Sequence, residues 1–234
     1  MSPESKQKIQ LALVLAIAIA GARTAYIFYQ RHAAKIEQAS QQAPPLNPDY
    51  YVTPKKLYPF DLKSAQQLTQ QAVWVKEGYR YTYYAYENRR ADFSHEAGQL
   101  LPLEELHIKD VVLDRTPGSS DERQIMAAFE RNGKTYAVPI GSVKSGNYQI
   151  YSDEMFYIQD PHELYKHWSP DVWQAIDQHQ VKPGMSELQA DFAIGMGIPQ
   201  PSSSAEVKIV NYPNGGKPLS ITFRDGKAAE IGPG

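Results

Sequence analysis

QIMAAFERNGKTYAVP, residues 124–139, is the stretch that decides the fold class. Its centre, Asn132-Gly133, is the strongest two-residue hairpin signal in the chain, because a type I′ turn needs two left-handed residues and this pair adopts them cheaply. Taken alone, Gln124–Arg131 is ambiguous, since its Ala-rich middle suits a helix as well as a strand. The turn that follows, with Lys134–Pro139 as a return strand, makes it the first arm of a β-hairpin.

The same punctuation extends to both sides. Upstream, Asp61–Gln71 reads as a short helix with Leu62, Ala65 and Leu68 on one side. Val73–Lys76, Tyr79–Tyr86 and Leu106–Asp114 then read as strands. Downstream, Ser145-Gly146-Asn147 turns into Tyr148–Tyr151, and Met155–Ile158 completes the set. About six short strands broken by Gly and Pro turns predict a small curved β-sheet or SH3-like barrel over residues 59–160.

Composition sets the outer limits. The chain has 234 residues, 42% hydrophobic and 21% charged, which excludes disorder throughout. With 24 Lys and Arg against 26 Asp and Glu, the net charge of −2 argues against a nucleic-acid binder. A mean hydropathy of −0.51 excludes a multi-span membrane protein. The absence of cysteine removes disulfides, Cys-ligated zinc, thiol catalysis and attachment through an N-terminal lipidated Cys. The charge is also uneven. Residues 1–58 carry seven basic against three acidic side chains, a net of +4, which leaves −6 for the body. A basic head on an acidic body commonly faces a membrane.

That head holds Leu11–Ala22, an uninterrupted apolar run, then Arg23 and Thr24, then Ala25–Tyr29. Alone, the run has signal-peptide length, with Ala20-Gly21-Ala22 as a cleavage site. Read together, Ile9–Tyr29 forms a helix of roughly 31 Å, enough to span a bilayer, with Arg23 snorkelling and Tyr26 and Tyr29 in an interfacial belt. The expectation is a single-pass inner-membrane anchor with a periplasmic body, or a body secreted to the periplasm if the segment is cleaved. The Pro/Gln-rich stretch 33–58 reads as an extended spacer.

Two constellations invite a functional reading. Tyr79, Tyr81 and Tyr83 share one face of their strand and Arg80 the other, offering a ligand or partner surface. Tyrosine is also simply a good strand former that packs well in a half-buried sheet. Between Ser152 and His167 lie Asp153, Glu154, Asp160, His162 and Glu163. A zincin helix needs His at i and i+4, whereas His162 and His167 are five apart and point away from each other. Asp160 as N-cap, Pro161 at the first helical position and Glu163 at the third describe an ordinary helix start. No nucleophile elbow, Walker loop or dinucleotide fingerprint is present. No cofactor, metal or catalytic residue is expected.

The last quarter reads as helix, helix, then three strands. Ser169-Pro170-Asp171 opens the first helix. Ser186-Glu-Leu-Gln189 is a capping box opening the second, which stops at Gly195 to Pro199. Glu206–Tyr212, Leu219–Arg224 and Ala228–Ile231 follow as strands, the last two joined at Asp225-Gly226. The strings Val181–Gln189, Gly195-Met-Gly-Ile-Pro199 and Ile221–Lys227 resemble the BamE (SmpA/OmlA) family. Members of that family share a Gly-Met-Thr/Ser-x-x-Gln helix start, a Leu-Gly-x-Pro helix stop and a closing hairpin. The resemblance covers about the last 65 residues and implies an envelope protein that acts through protein contacts without catalysis.

The whole therefore predicts an α+β fold. It consists of an N-terminal membrane helix (1–32), a linker (33–58), a β-rich domain (59–160) and a two-helix plus three-stranded antiparallel module (161–234). The expected role is a membrane-anchored, extracytoplasmic, non-enzymatic binding or scaffold protein, whose partner is an envelope protein or cell-wall component. The competing expectations are an enzyme acting on a carbohydrate or metal-bound substrate through Asp153, Glu154, His162 or His167, and a cytoplasm-facing regulatory module.

Overall fold

The computed structural model describes residues 19–31, 46–78, 80–201 and 207–234. The chain divides into two compact units, Met1–Tyr50 and Tyr51–Gly234. In the first, residues 19–31 are helical and exposed. Polar side chains fold back along this helix, the Thr24 hydroxyl donating to the Ala20 carbonyl (2.8 Å) and Gln30 Nε2 to the Tyr26 hydroxyl (2.9 Å).

The second unit is mostly β. Its strands are β1 (Val73–Val75), β2 (Thr82–Glu87), β3 (Arg90–Gln99), β4 (Glu105–Leu106), β5 (Ile108–Arg115), β6 (Glu122–Arg131) and β7 (Lys134–Lys144). They continue as β8 (Asn147–Ile150), β9 (Phe156–Tyr157), β10 (Ile198–Pro199), β11 (Val207–Tyr212), β12 (Leu219–Arg224) and β13 (Lys227–Pro233). They sort into three antiparallel sheets, ordered β4-β1-β9, β3-β2-β7-β6-β5 with β8 beside β7, and β10-β11-β12-β13.

The hairpin at Asn132-Gly133 organises the largest sheet. Both residues have positive φ (53° and 73°), and Arg131 faces Lys134 across the turn. Alternation along β6 then buries both faces of the sheet. Ile125, Ala127 and Phe129 enter one cluster with Val75, Leu68 and Tyr83, while Met126 and Ala128 enter a second with Ala91 and Ala137. The two ends of the strand order approach each other, because buried Asp114 on β5 accepts a 2.6 Å hydrogen bond from the Ala91 N–H on β3.

The helices are short. α1 (Leu62–Ala65) starts at an Asp61–Ser64 capping box and runs on into a 3-10 turn. α2 (Ser152–Met155) precedes β9, and α3 (Pro161–Leu164) is capped by Asp160, whose side chain accepts from the His162 N–H at 2.9 Å. α4 (Pro170–Asp177) and α5 (Glu187–Ile194) follow. The capping box at α5 is complete: Gln189 N–H donates to Ser186 Oγ (3.3 Å), and Ser186 N–H to Gln189 Oε1 (2.8 Å).

Four expectations need correction. Among the described residues, no helix is long and apolar enough to cross a membrane, so the single-pass anchor is not supported. The described helical stretch 19–31 would reach only about 20 Å, short of a hydrocarbon core of about 30 Å, and it carries Arg23 and Thr24 inside it. The earlier part of the expected span, residues 9–18, lies outside the described residues, as do residue 32 and residues 33–45 of the linker.

The α+β class gives way to a mostly β fold with three sheets. The middle is not one curved sheet, because β1, β4 and β9 pair among themselves through contacts of long sequence separation, such as Trp74 with Tyr157. Nor is the C-terminal part a two-helix plus three-stranded module. Ile198-Pro199 adds a fourth strand, and Trp74, Leu103 and Tyr157 from earlier in the chain pack into the same aromatic core as Trp168, Phe192 and Phe223. Residues 161–234 do not close a core without them.

Candidate functional site

α5 ends where Gly195 takes a φ of 87°, which frees the chain to turn back as Gly195-Met196-Gly197. The Met196 N–H donates to the Glu77 carbonyl at 2.8 Å, tying this turn to the segment that follows β1. Gly197 permits the close approach that comes next. A Cβ there would collide with Val210 Cγ1 and fall 2.8 Å from the Tyr212 ring. The chain then enters β10, with Met196 and Ile198 left 52% and 65% exposed.

These features wall a cleft of about 350 Å³. Gly78, Arg80, the run from Ile194 to Pro199, and Pro213 line it. Apart from Arg80 the lining is apolar. The Arg80 guanidinium lies against the turn between β11 and β12, with Nη1 only 2.5 Å from where a Cβ on Gly215 would sit. Gly215 has a φ of 63°, so glycine there serves both the turn and the packing of the arginine. Burial alone lowers the Arg80 pKa, no opposing charge or hydrogen bond contributes, and among the described residues the guanidinium has no partner.

Behind the cleft wall stands Asp191, on α5. Burial pushes its pKa up to about 7, the Glu187 and Glu77 carboxylates add to the rise, and the Tyr212 hydroxyl and Gly197 N–H oppose it. Asp191 Oδ1 and the Tyr212 hydroxyl are close and buried, and neither has a well-formed hydrogen bond among the described residues. The neighbouring acids are engaged elsewhere. Glu77 Oε2 accepts from the Tyr157 hydroxyl at 2.8 Å, and Glu187 pairs with Lys208 at 2.7 Å.

β10 closes the edge of its sheet in an informative way. Gln200 N–H donates to the Ile209 carbonyl, so Ile198 and Gln200 direct their backbone groups toward β11, and residues 197, 199 and 201 direct theirs outward. Pro199 and Pro201 have no N–H, and the Gly197 N–H faces Asp191. This outer edge therefore offers no free donor to an added strand.

The residues singled out in the sequence are not gathered at one place. Tyr79 lies outside the described residues. Tyr83 is buried, with its hydroxyl accepting from Arg131 Nη1 at 2.5 Å and the guanidinium 4.6 Å over its ring, and Arg131 also pairs with Glu104. Tyr81 packs against the same core. Arg80 is the one that reaches the cleft.

His162 sits between two acids, Nδ1 at 2.9 Å from Asp160 and Nε2 at 3.2 Å from Asp177, with its ring stacked 4.1 Å from Trp173. His167 packs instead beside Tyr165 and Trp168. The Asp153 carbonyl accepts from Lys76 Nζ at 2.6 Å. None of Asp153, Glu154, His162 and His167 lines the Arg80 cleft. Among the described residues no group of three or more His, Asp or Glu is arranged to hold a metal ion.

The sequence reading missed the cleft. Its one available signal was Gly195-Met-Gly197 just after a capped helix, which has the small residues a close backbone approach needs.

No family model, no curated protein and no solved structure matches the chain. The expected BamE and cell-envelope roles thus gain no support from known proteins, and the resemblance rests on the motif strings of residues 181–227 alone.

Proposed function

We propose that this chain is a non-enzymatic binding protein that seats an apolar segment of a partner polypeptide in the Arg80 cleft. The observation that carries the reading is the pairing of exposed Met196 and Ile198 with an otherwise apolar cleft at one sheet edge. Large side chains left exposed beside a concavity are the usual mark of a contact site. Among the described residues the one titratable side chain in the lining is Arg80, which stays protonated and cannot shuttle protons, so this lining is equipped to hold and not to transform. Its size lies at the low end of the roughly 300–1,000 Å³ typical of ligand pockets, which suits one or two side chains. Because β10 offers no free donor, the partner is held through its side chains.

Panning a random displayed peptide library against the purified chain tests this. Enriched peptides should share apolar residues, and as free peptides they should bind the wild type and lose affinity for Ile198→Asp folded to the same urea midpoint. Enrichment that is equal on wild type and Ile198→Asp, or absent from both, overturns the reading.

A further inference from the structure

We propose that Arg80 selects, among apolar segments, those that carry a carboxylate next to the buried side chain, by pairing with it in the cleft. The inference rests on the binding reading above and specifies its ligand.

The argument begins with what Arg80 lacks. An arginine taken partly out of water loses hydration, and a fold ordinarily compensates with a carboxylate or backbone carbonyls. Here no such partner exists among the described residues. No acid adds to the Arg80 charge balance, and the carboxylates around Asp191 are engaged elsewhere, Glu77 with the Tyr157 hydroxyl and Glu187 with Lys208. Among the described residues the charge is left unpaired at the cleft.

The geometry indicates which anion. The guanidinium packs on the backbone at Gly215, where a side chain would displace it, and that packing restrains it in the cleft lining. A planar guanidinium held in place matches a planar carboxylate through two parallel N–H to O contacts. The rest of the lining is apolar. A singly charged carboxylate attached to an aliphatic or aromatic side chain loses less hydration on entering such a cleft than a doubly charged phosphate. The carboxylate can come from an Asp or Glu side chain or from a chain terminus, which share this chemistry.

Three peptides separate the possibilities: acetyl-Ile-Leu with a free terminal carboxylate, the same peptide as its amide, and acetyl-Ile-Leu-Asp-amide. Their binding to the full chain is followed by NMR through the Met196 and Ile198 methyl signals. At least one carboxylate peptide should bind about tenfold or more tightly than the amide, as expected for a charge-assisted pair. Whichever of the two binds tighter identifies the source. The preference should shrink at high salt, persist in part in Arg80→Lys, and vanish in Arg80→Met. Equal affinity of all three peptides for the wild type, with the methyl signals responding, overturns this inference while leaving the binding reading intact. If none of the three peptides moves those signals, both readings fall. The wild-type comparison needs no variant to fold.

Discussion

Replacing Asp191 by asparagine should remove a large pH dependence from the stability of the protein. In the folded state burial keeps the Asp191 proton on to about pH 7, whereas an unfolded chain releases it near 3.8. Below about pH 4 both states are protonated and the carboxyl costs nothing. As the pH rises from 4 to 7 the unfolded state ionises first, so it is increasingly favoured and stability falls. Above about 7 the folded state ionises too and the loss levels off. A difference of about three pH units corresponds to about 4 kcal/mol at 1.36 kcal/mol per unit. Because Asp191 retains some contact with solvent, the expected loss is between about 2 and 4 kcal/mol.

The amide of the Asp191→Asn variant would resemble the neutral acid in shape and can still accept from Tyr212 and Gly197, but it does not titrate. The assay is urea unfolding from pH 4 to 8, followed by the fluorescence of Trp168 and Trp173, which pack in the core next to α5. Other groups titrate in this range, so the decisive quantity is the difference between wild type and Asp191→Asn at each pH. It should swing by at least about 2 kcal/mol in favour of the variant as the pH rises. Parallel curves for the two proteins would refute the account of Asp191 as a buried, under-satisfied acid.

Two further perturbations probe the elements that shape the site and the large sheet. Gly197→Ala should lower stability by about 1–3 kcal/mol, because its methyl meets Val210 and the Tyr212 ring well inside van der Waals contact, and differential scanning calorimetry reads this as a drop in Tm. Asp114→Ala should cost about 1–3 kcal/mol in urea unfolding and speed hydrogen exchange at the Ala91 amide, because that buried N–H loses its acceptor. Asp92→Ala, on an exposed part of the same strand, should leave the Ala91 exchange rate unchanged.

What could be read in advance was local. Asn132-Gly133 predicted its hairpin, Ser186 and Gln189 their reciprocal cap, and Asp160 with Pro161 a helix start, because each depends on residues within four positions of one another. Tyr79–Tyr86 read as one strand, but β2 begins only at Thr82, so alternation does not place Arg80 and Tyr81. The pairings that build the three-sheet arrangement were not legible. Val73 with Leu106 and Trp74 with Tyr157 join residues dozens of positions apart, through strands only two or three residues long that carry no periodicity of their own. Ile198-Pro199 read as a helix stop, since its proline hides a strand that donates only on one side. The cleft stayed hidden for the same reason. Its walls come from residues 78–80, 194–199 and 213, and only folding brings them together.

The donor-free rim at Pro199 and Pro201 also bears on how the protein behaves when crowded. An open outer strand invites copies of a chain to stack sheet on sheet into fibres. At this rim an incoming strand would find carbonyls to donate to but no N–H to accept from, and half a ladder does not propagate. At the far rim, Gly184 and Met185 already bond to Ala228 and occupy the first part of β13. The sheet beside the exposed Met196 and Ile198 can thus present apolar side chains at high local concentration without seeding its own polymerisation there.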